Sequence, residues 1–239
     1  DLAIGYGALD ADAPGPPPAP LRAMSGVRLC VPTTVVWDDA SPGVAEATEH
    51  ALRALEAAGA TLVRRDVPEV AAAVEVFRTA NLAGPDLYRL LSTELNGWLD
   101  TVDPAVRQRL DTAADVPAWR WLAGRARVAE LSRAAAERLS DCDALVTPTV
   151  ALTPPRIDAV QAPDAFAKAN GLALRNTAIG NYLTMAGVTL PAGLDAARMP
   201  VGLQLLGQPG EEGALLALAQ AAEAVLGTAD ARLGLPPAL

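Results

Sequence analysis

Apolar and polar positions change their period twice in the first third of the chain. Gly26–Pro32 (GVRLCVP) is a short, nearly continuous apolar run bounded by turn residues, which predicts a buried strand. Val44, Ala51, Leu52 and Leu55 then recur at helical spacing on one face. Ser41-Pro42 stands just before them, which predicts a helix capped by Ser41 with proline at its first position. Gly59 ends the run, and ATLVRRDVP returns to an extended pattern. Strand, helix and strand in that order make a β-α-β unit, which favours parallel strands joined by a right-handed crossover.

From Val70 to Ser140 the alternation of a strand is missing, so residues 70–140 read as a helical segment. Its breaks fall at Gly84-Pro85, Asp103-Pro104 and Val116-Pro117, because a proline pushes the residue before it out of the helical region. Leu122, Val128, Leu131, Ala135 and Leu139 form an apolar stripe on the last helix. Arg125, Arg127, Arg133 and Arg138 fall largely off it and read as solvated surface. Trp98, Trp119 and Trp121 read as core packing, with an aromatic substrate pocket as the alternative. The segment DCDALVTPTVALTPP then predicts a strand, Ala144–Val146, running into a threonine- and proline-rich loop. Ligands of open α/β sheets lie beyond the carboxyl ends of the strands, which places Thr147 and Thr149 where a substrate would be; turn chemistry alone accounts for them equally well. Residues 155–170, with Lys168, read as a loop or weakly marked helix.

The run from Arg175 to Gly227 is the densest in backbone chemistry. Val188–Leu190 predicts a short strand, DAARMP a turn and VGLQLLG a second strand whose glycine permits close backbone approach. Pro209-Gly210 ends that strand and Glu211-Glu212 opens a helix. Leu215, Leu218, Ala222 and Val225 should face the sheet, and Gly227 should stop the helix.

Composition narrows the classes. With 239 residues, 51% of them hydrophobic, the chain has material for one large core, and 1–239 is read as a single domain in which 11–25 is a proline-rich connector. A net charge of −9 and a single lysine argue against nucleic acid as a partner. Apolar runs are interrupted before the roughly 20 residues a bilayer crossing needs, so no membrane association is expected. Asp1–Asp10 resembles the last turns of a helix, as if the chain were cut from something longer. Cys30 and Cys142, far apart in sequence and placed in predicted buried strands, read as reduced core thiols, which fits a reducing, cytoplasmic compartment.

Catalytic chemistry is hard to find. The one histidine, His50, lies off the apolar face of its helix beside Glu49 and reads as exposed. Lys168 has no serine three residues before it, and neither a G-x-S-x-G elbow nor an S-x-x-K motif occurs. One histidine and two separated cysteines cannot supply the usual zinc ligands, so neither a metal nor a cofactor is expected. Asp141 with Asp143 and Glu211 with Glu212 read as capping carboxylates.

Four features together resemble the carboxyl-terminal part of the amidase signature family. They are the helix remnant at Asp1–Asp10, the strand-helix-strand from GVRLCVP to ATLVRRDVP, the Arg-bearing helix leading into CDALVTPT, and NTAIGNYLTMAGVTLPAG followed by MPVGLQLLGQPGEEGALLALAQAAE. Thr184 and Ala186 depart from the pattern, standing where the family often has small or proline residues.

The resemblance implies an α/β fold with a mixed sheet covered by helices on both faces. It implies amide hydrolysis by a serine, cis-serine, lysine triad, all of whose members belong to a segment before Asp1, so no catalytic residue is assigned in this chain. It further implies that Thr177 and Asn181 lie near a small-molecule amide substrate, that Gly187 and Pro191 fix the adjoining backbone, and that Gly202 and Gln204 sit on a central strand behind it; for the glycines, tight packing is the alternative. The partner expected is an upstream catalytic segment or a separate chain, with homo-oligomerisation through an uncovered sheet edge also expected. A non-catalytic subunit descended from an amidase, and a transamidase A-type subunit, are the other readings.

Overall fold

The computed structural model describes residue 2 and residues 23–80, 82–95 and 97–234. The expected helix remnant at Asp1–Asp10 and residues 11–22 of the expected connector lie, apart from residue 2, outside the described residues.

The β-α-β unit is present as β1 (Arg28–Pro32), α1 (Val44–Ala57) and β2 (Thr61–Arg65), with β1 and β2 parallel neighbours. β1 also pairs in parallel with β3 (Ala144–Pro148). The sheet changes direction after that, because β4 (Ala186–Leu194) and β5 (Pro200–Gly207) form an antiparallel hairpin whose second strand lies against β3. The order is β2-β1-β3-β5-β4, a mixed sheet as expected. The remaining helices are α2 (Pro68–Ala80), α3 (Ala83–Arg89), α4 (Pro104–Ala114), α5 (Ala118–Arg138), α6 (Pro163–Tyr182), α7 (Glu212–Leu226) and α8 (Ala229–Leu233), and α3 runs into a π-helical turn at Leu90–Glu94.

Alternation along the strands gives the sheet two apolar faces. Leu29, Val31, Val146, Leu203 and Leu205 pack under Leu52 and Leu55 of α1 and Leu215 and Leu218 of α7. Cys30, Leu145 and Leu206 pack under Val70 and Val74 of α2, Leu131 and Ala135 of α5 and Ile179 of α6. The stretch Glu212–Leu233 has the length and mean hydropathy of a membrane span, yet the chain breaks at Gly227 between α7 and α8, and α7 spends its apolar face on the sheet.

Several expectations are corrected. Ser41 does not cap α1; Gly43, at φ 91°, is its N-cap, and the Glu46 carboxylate accepts from the Gly43 N–H at 3.1 Å. Ser41 Oγ instead accepts from the Thr153 N–H at 2.9 Å, tying the start of α1 to the loop after β3. Residues 155–170, read as a loop or weakly marked helix, hold the 3-10 turn Ile157–Val160 and the start of α6. Leu122, Trp98 and Trp119 are exposed rather than core, because α3 and α4 pack on each other and the amino-terminal half of α5 extends beyond the sheet. Val225 is exposed as well, at the last turn of α7. Asp141 and Asp143 do not cap a helix: Asp143 accepts from the Arg28 N–H at 2.8 Å, and Asp141 pairs with both Arg28 and Arg65, clamping β1 and β2 to the approach to β3.

The two thiols are free; Cys30 is buried and Cys142 lies half-buried just before β3 instead of within it. Desolvation raises the Cys30 thiol and pushes Cys142 up to about 11, even though the Arg65 guanidinium contacts the Cys142 sulfur at 3.6 Å. An unfolded thiol ionises near pH ~8.5. Above that pH the unfolded chain sheds protons that the folded chain keeps, so this contribution is complete below about pH 8.5 and is lost as pH rises through the folded value. The urea midpoint should therefore fall between about pH 8.5 and 11, and Cys142→Ser should flatten the fall. A wild-type midpoint that stays level over this range would contradict the assignment.

Candidate substrate site

Strand residues two apart share a face, and the pairing register carries that face across neighbouring strands. Gln204 of β5 stands opposite Thr147 of β3 on one side and Thr189 of β4 on the other. Gly202 stands opposite Pro191, and the ladder continues past β3 through a hydrogen bond from the Thr149 N–H to the Gly202 carbonyl at 2.8 Å. Thr147, Gly187, Pro191, Gly202 and Gln204 therefore occupy one face of three adjacent strands, joined by Thr149 and Thr189.

Depth divides this group. Thr147 lies inside β3 with no exposed surface, and its hydroxyl donates to Gln204 Oε1 at 3.4 Å. The loop expected at Thr147 begins two residues later. Gln204 is buried, whereas Gly187 and Thr189 are exposed and Thr149, Pro191 and Gly202 are half-buried. The Thr149 and Thr189 hydroxyls meet at 3.2 Å across Gly202. A Cβ at Gly202 would lie 2.6 Å from Thr149 Oγ1 and 2.7 Å from Thr189 Cγ2, so only glycine lets the two threonines approach. A cavity of about 350 Å³ opens here, lined by Thr149, Thr189, Pro191 and Gly202 with Leu152 and Asp195. Asp195 is fixed in the hairpin turn by the N–H groups of Ala197 and Met199, each at 2.8 Å, and by the Thr153 hydroxyl. Burial opposes its charge, but these donors override that and hold the carboxyl below its ordinary range.

α6 forms the adjoining wall. Its Arg175-Asn176 doublet is buried and tied to the loop after β1 and to the carboxyl end of β3. Asn176 Nδ2 donates to the Val36 carbonyl at 3.1 Å and to the Pro148 carbonyl at 2.8 Å. Arg175 donates to Val36 O at 3.0 Å, to Asp38 O at 2.8 Å and to Asn176 Oδ1 at 3.0 Å. Desolvation lowers the Arg175 guanidinium, with Asp38 and Asp39 acting in the opposite direction. Sequence reasoning assigned no role to this pair. The available signal was a charged residue and an amide, side by side, in the run GLALRNTAIG of otherwise small and apolar residues.

Thr177 and Asn181 lie one turn apart on α6. Thr177 donates its hydroxyl to the Leu174 carbonyl at 3.1 Å and is half-buried. Asn181 is exposed and lines a separate cavity of about 480 Å³ with residues of α3 and α5. The sheet group and the α6 pair are thus two walls, not one cluster. His50 is exposed on α1, and Lys168 is exposed on α6.

The Amidase family model matches residues 16–216. The chain belongs to the amidase family. It is 40% identical, over 99% of its own length and 51% of the relative's, to the 2-amino-5-chloromuconic acid deaminase of Comamonas testosteroni. It is 28% identical, over 88% of its length and 35% of the relative's, to a fatty acid amide hydrolase of Medicago truncatula. Among solved structures, the allophanate hydrolase of Kluyveromyces lactis superposes with a TM-score of 0.71 at 20% identity, covering 87% of this chain and 33% of that one. A 6-aminohexanoate cyclic dimer hydrolase also gives 0.71 at 21% identity, covering 90% and 48%. These structures share the amidase fold. The chain spans about half the length, or less, of the curated relatives it matches.

Proposed function

We propose that this amidase chain forms the carboxyl-terminal part of an enzyme that hydrolyses the amide bond of a small carboxylate-bearing molecule; that the Comamonas relative is named for an acid supports the acidic substrate. The reading is carried by the open sheet face at Thr149, Thr189 and Gly202, set beside the exposed face of α6 with Thr177 and Asn181. These walls can shape and hydrogen-bond a substrate, and among the described residues neither His50 nor Lys168 stands with them as a base. The serine nucleophile, its cis-serine partner and the lysine come from an upstream segment of the same polypeptide or from a partner chain. The serine hydroxyl attacks the carbonyl, the nitrogen leaves after taking a proton, and water releases the acid from the acyl-serine. The free thiols of Cys30 and Cys142 support a reducing, cytoplasmic setting.

The chain alone is expected to show no amide hydrolysis above background, and activity should appear when it is produced together with the upstream segment. Ammonia release from small carboxylate-bearing amides, measured for both preparations, tests this. Enzyme-like turnover by the chain alone would overturn it.

A further inference from the structure

The cavity beside Asn181 is built around a close helix contact. A Cβ on Gly124 of α5 would lie 2.6 Å from Leu82 Cδ2 and 3.2 Å from Ala80 Cβ, so this glycine lets α5 press against the chain between α2 and α3. Trp121, nearly one turn earlier, donates its indole N–H to the Leu82 carbonyl at 3.1 Å and is fixed there. The Arg125 guanidinium then lies over the Trp121 ring at 4.9 Å. Nine other arginines are paired with carboxylates among the described residues, but Arg125 has only this ring. Stacking on an aromatic face holds a guanidinium plane while leaving its N–H edge free for a two-point contact with an oxyanion.

That side chain lines the 480 Å³ cavity together with Asn181 and Thr184 at the end of α6, Val128 of α5 and Asp86 of α3. The far wall is equally fixed: Thr184 meets Ser132 hydroxyl to hydroxyl, and Tyr182 packs edge-on against Phe77 at 5.9 Å. A volume within the ordinary range of small-ligand sites, with a cation held at one place and a carboxylate at another, suits a ligand carrying both an acid and an amino or amide group.

We propose that this cavity is the subsite for a substrate carboxylate, with Arg125 as its bidentate anchor, Asn181 as a second polar contact and Asp86 facing the nitrogen-bearing end. The ligand class rests on the amidase reading above, whereas the binding chemistry stands on this geometry alone. The substrate is thereby selected for a free carboxylate placed away from the bond to be cut.

The test titrates the ¹⁵N-labelled chain with adipate and, separately, with the neutral adipamide, following amide shifts by NMR. Adipate should move the amides of residues 82–86, 125–129 and 181–184 in a saturable way. Arg125→Gln should weaken adipate binding at least about tenfold, the loss of a charged hydrogen-bonded pair, with little effect on adipamide. Arg53→Gln, another exposed arginine on α1, serves as the control and should leave both titrations unchanged. Absence of saturable shifts, shifts centred elsewhere, or equal losses in the two variants would overturn the proposal. Hydrolysis is not read in this experiment, so failure of the amidase reading and failure of the subsite remain distinct results.

Discussion

Gly43→Ala is expected to destabilise the chain by about 3–5 kcal/mol, more than any other single methyl addition considered, because two costs coincide. Gly43 holds φ at 91°, where an L-side chain is strained. Its added Cβ would also stand 2.3 Å from the Ala196 nitrogen and 2.8 Å from the Asp195 carbonyl carbon. These are backbone atoms of the β4–β5 turn and cannot swing aside as a side chain can. Relief requires the turn to move, which breaks the hydrogen bond from the Ala196 N–H to the Pro42 carbonyl at 3.0 Å and disturbs the Asp195 wall of the smaller cavity. Gly26 supplies the comparison: its φ is 82°, but a Cβ there meets nothing within 4 Å. Gly26→Ala should therefore cost only the backbone strain, about 1–2 kcal/mol. Urea unfolding of both variants reads the difference, and equal losses would show that the contact with the turn carries no energy.

Asn176→Ala should cost about 2–4 kcal/mol and lower the melting temperature by roughly 5–15 °C for a chain of this size. The amide is buried and donates to two carbonyls, and it accepts from Arg175. Removing it leaves the Pro148 carbonyl without this donor and takes one acceptor from a buried guanidinium, while Val36 O keeps its bond from Arg175. Asn176→Asp separates hydrogen bonding from size. It has nearly the same shape, but its carboxylate would face two carbonyl oxygens, so it should be no better than alanine despite the neighbouring Arg175. Asn176→Leu fills the space without a donor and should be as damaging as alanine. A leucine variant as stable as the wild type would mean that the site needs volume only. Because the doublet holds the loop after β1 and the carboxyl end of β3 against α6, these variants should also loosen the two substrate walls relative to each other, visible as faster amide exchange at 33–40 and 149–153.

Much of the architecture could be read before any coordinates. The β-α-β unit needs only local pattern: an apolar strand, a one-sided helix ended by Gly59 and a second strand follow from residue period and backbone chemistry. The hairpin and α7 were legible for the same reason, since Gly227 must stop the helix and the DAARMP turn must separate two apolar runs. Residues 155–170 gave only a loop or weakly marked helix because the apolar positions of α6 do not form one clear stripe; it is buried by polar stapling at Arg175-Asn176 as much as by Ile179 and Leu183. Trp98 and Trp119 show the opposite error. Large aromatic residues in helices usually find a core, but Trp98 lies between α3 and α4, which pack mainly on each other, and Trp119 lies in the first turn of α5, beyond the sheet.

The sequence by itself determined the family, the strand-helix order and, through the family resemblance, the placing of Gly202 and Gln204 on one strand close to Gly187 and Pro191. Those follow from near neighbours and from motifs carried in a continuous run. Only the tertiary structure decided that Thr147 is sealed inside β3 while Thr149 and Thr189 reach the open face, because depth depends on which helix covers which end of a strand. It alone placed Asn181 in a different cavity from the sheet residues and brought Arg125, 56 residues earlier, onto the same wall. Pairings across that separation are set by packing of α5 against α6 and the chain at Leu82, and no local period encodes them.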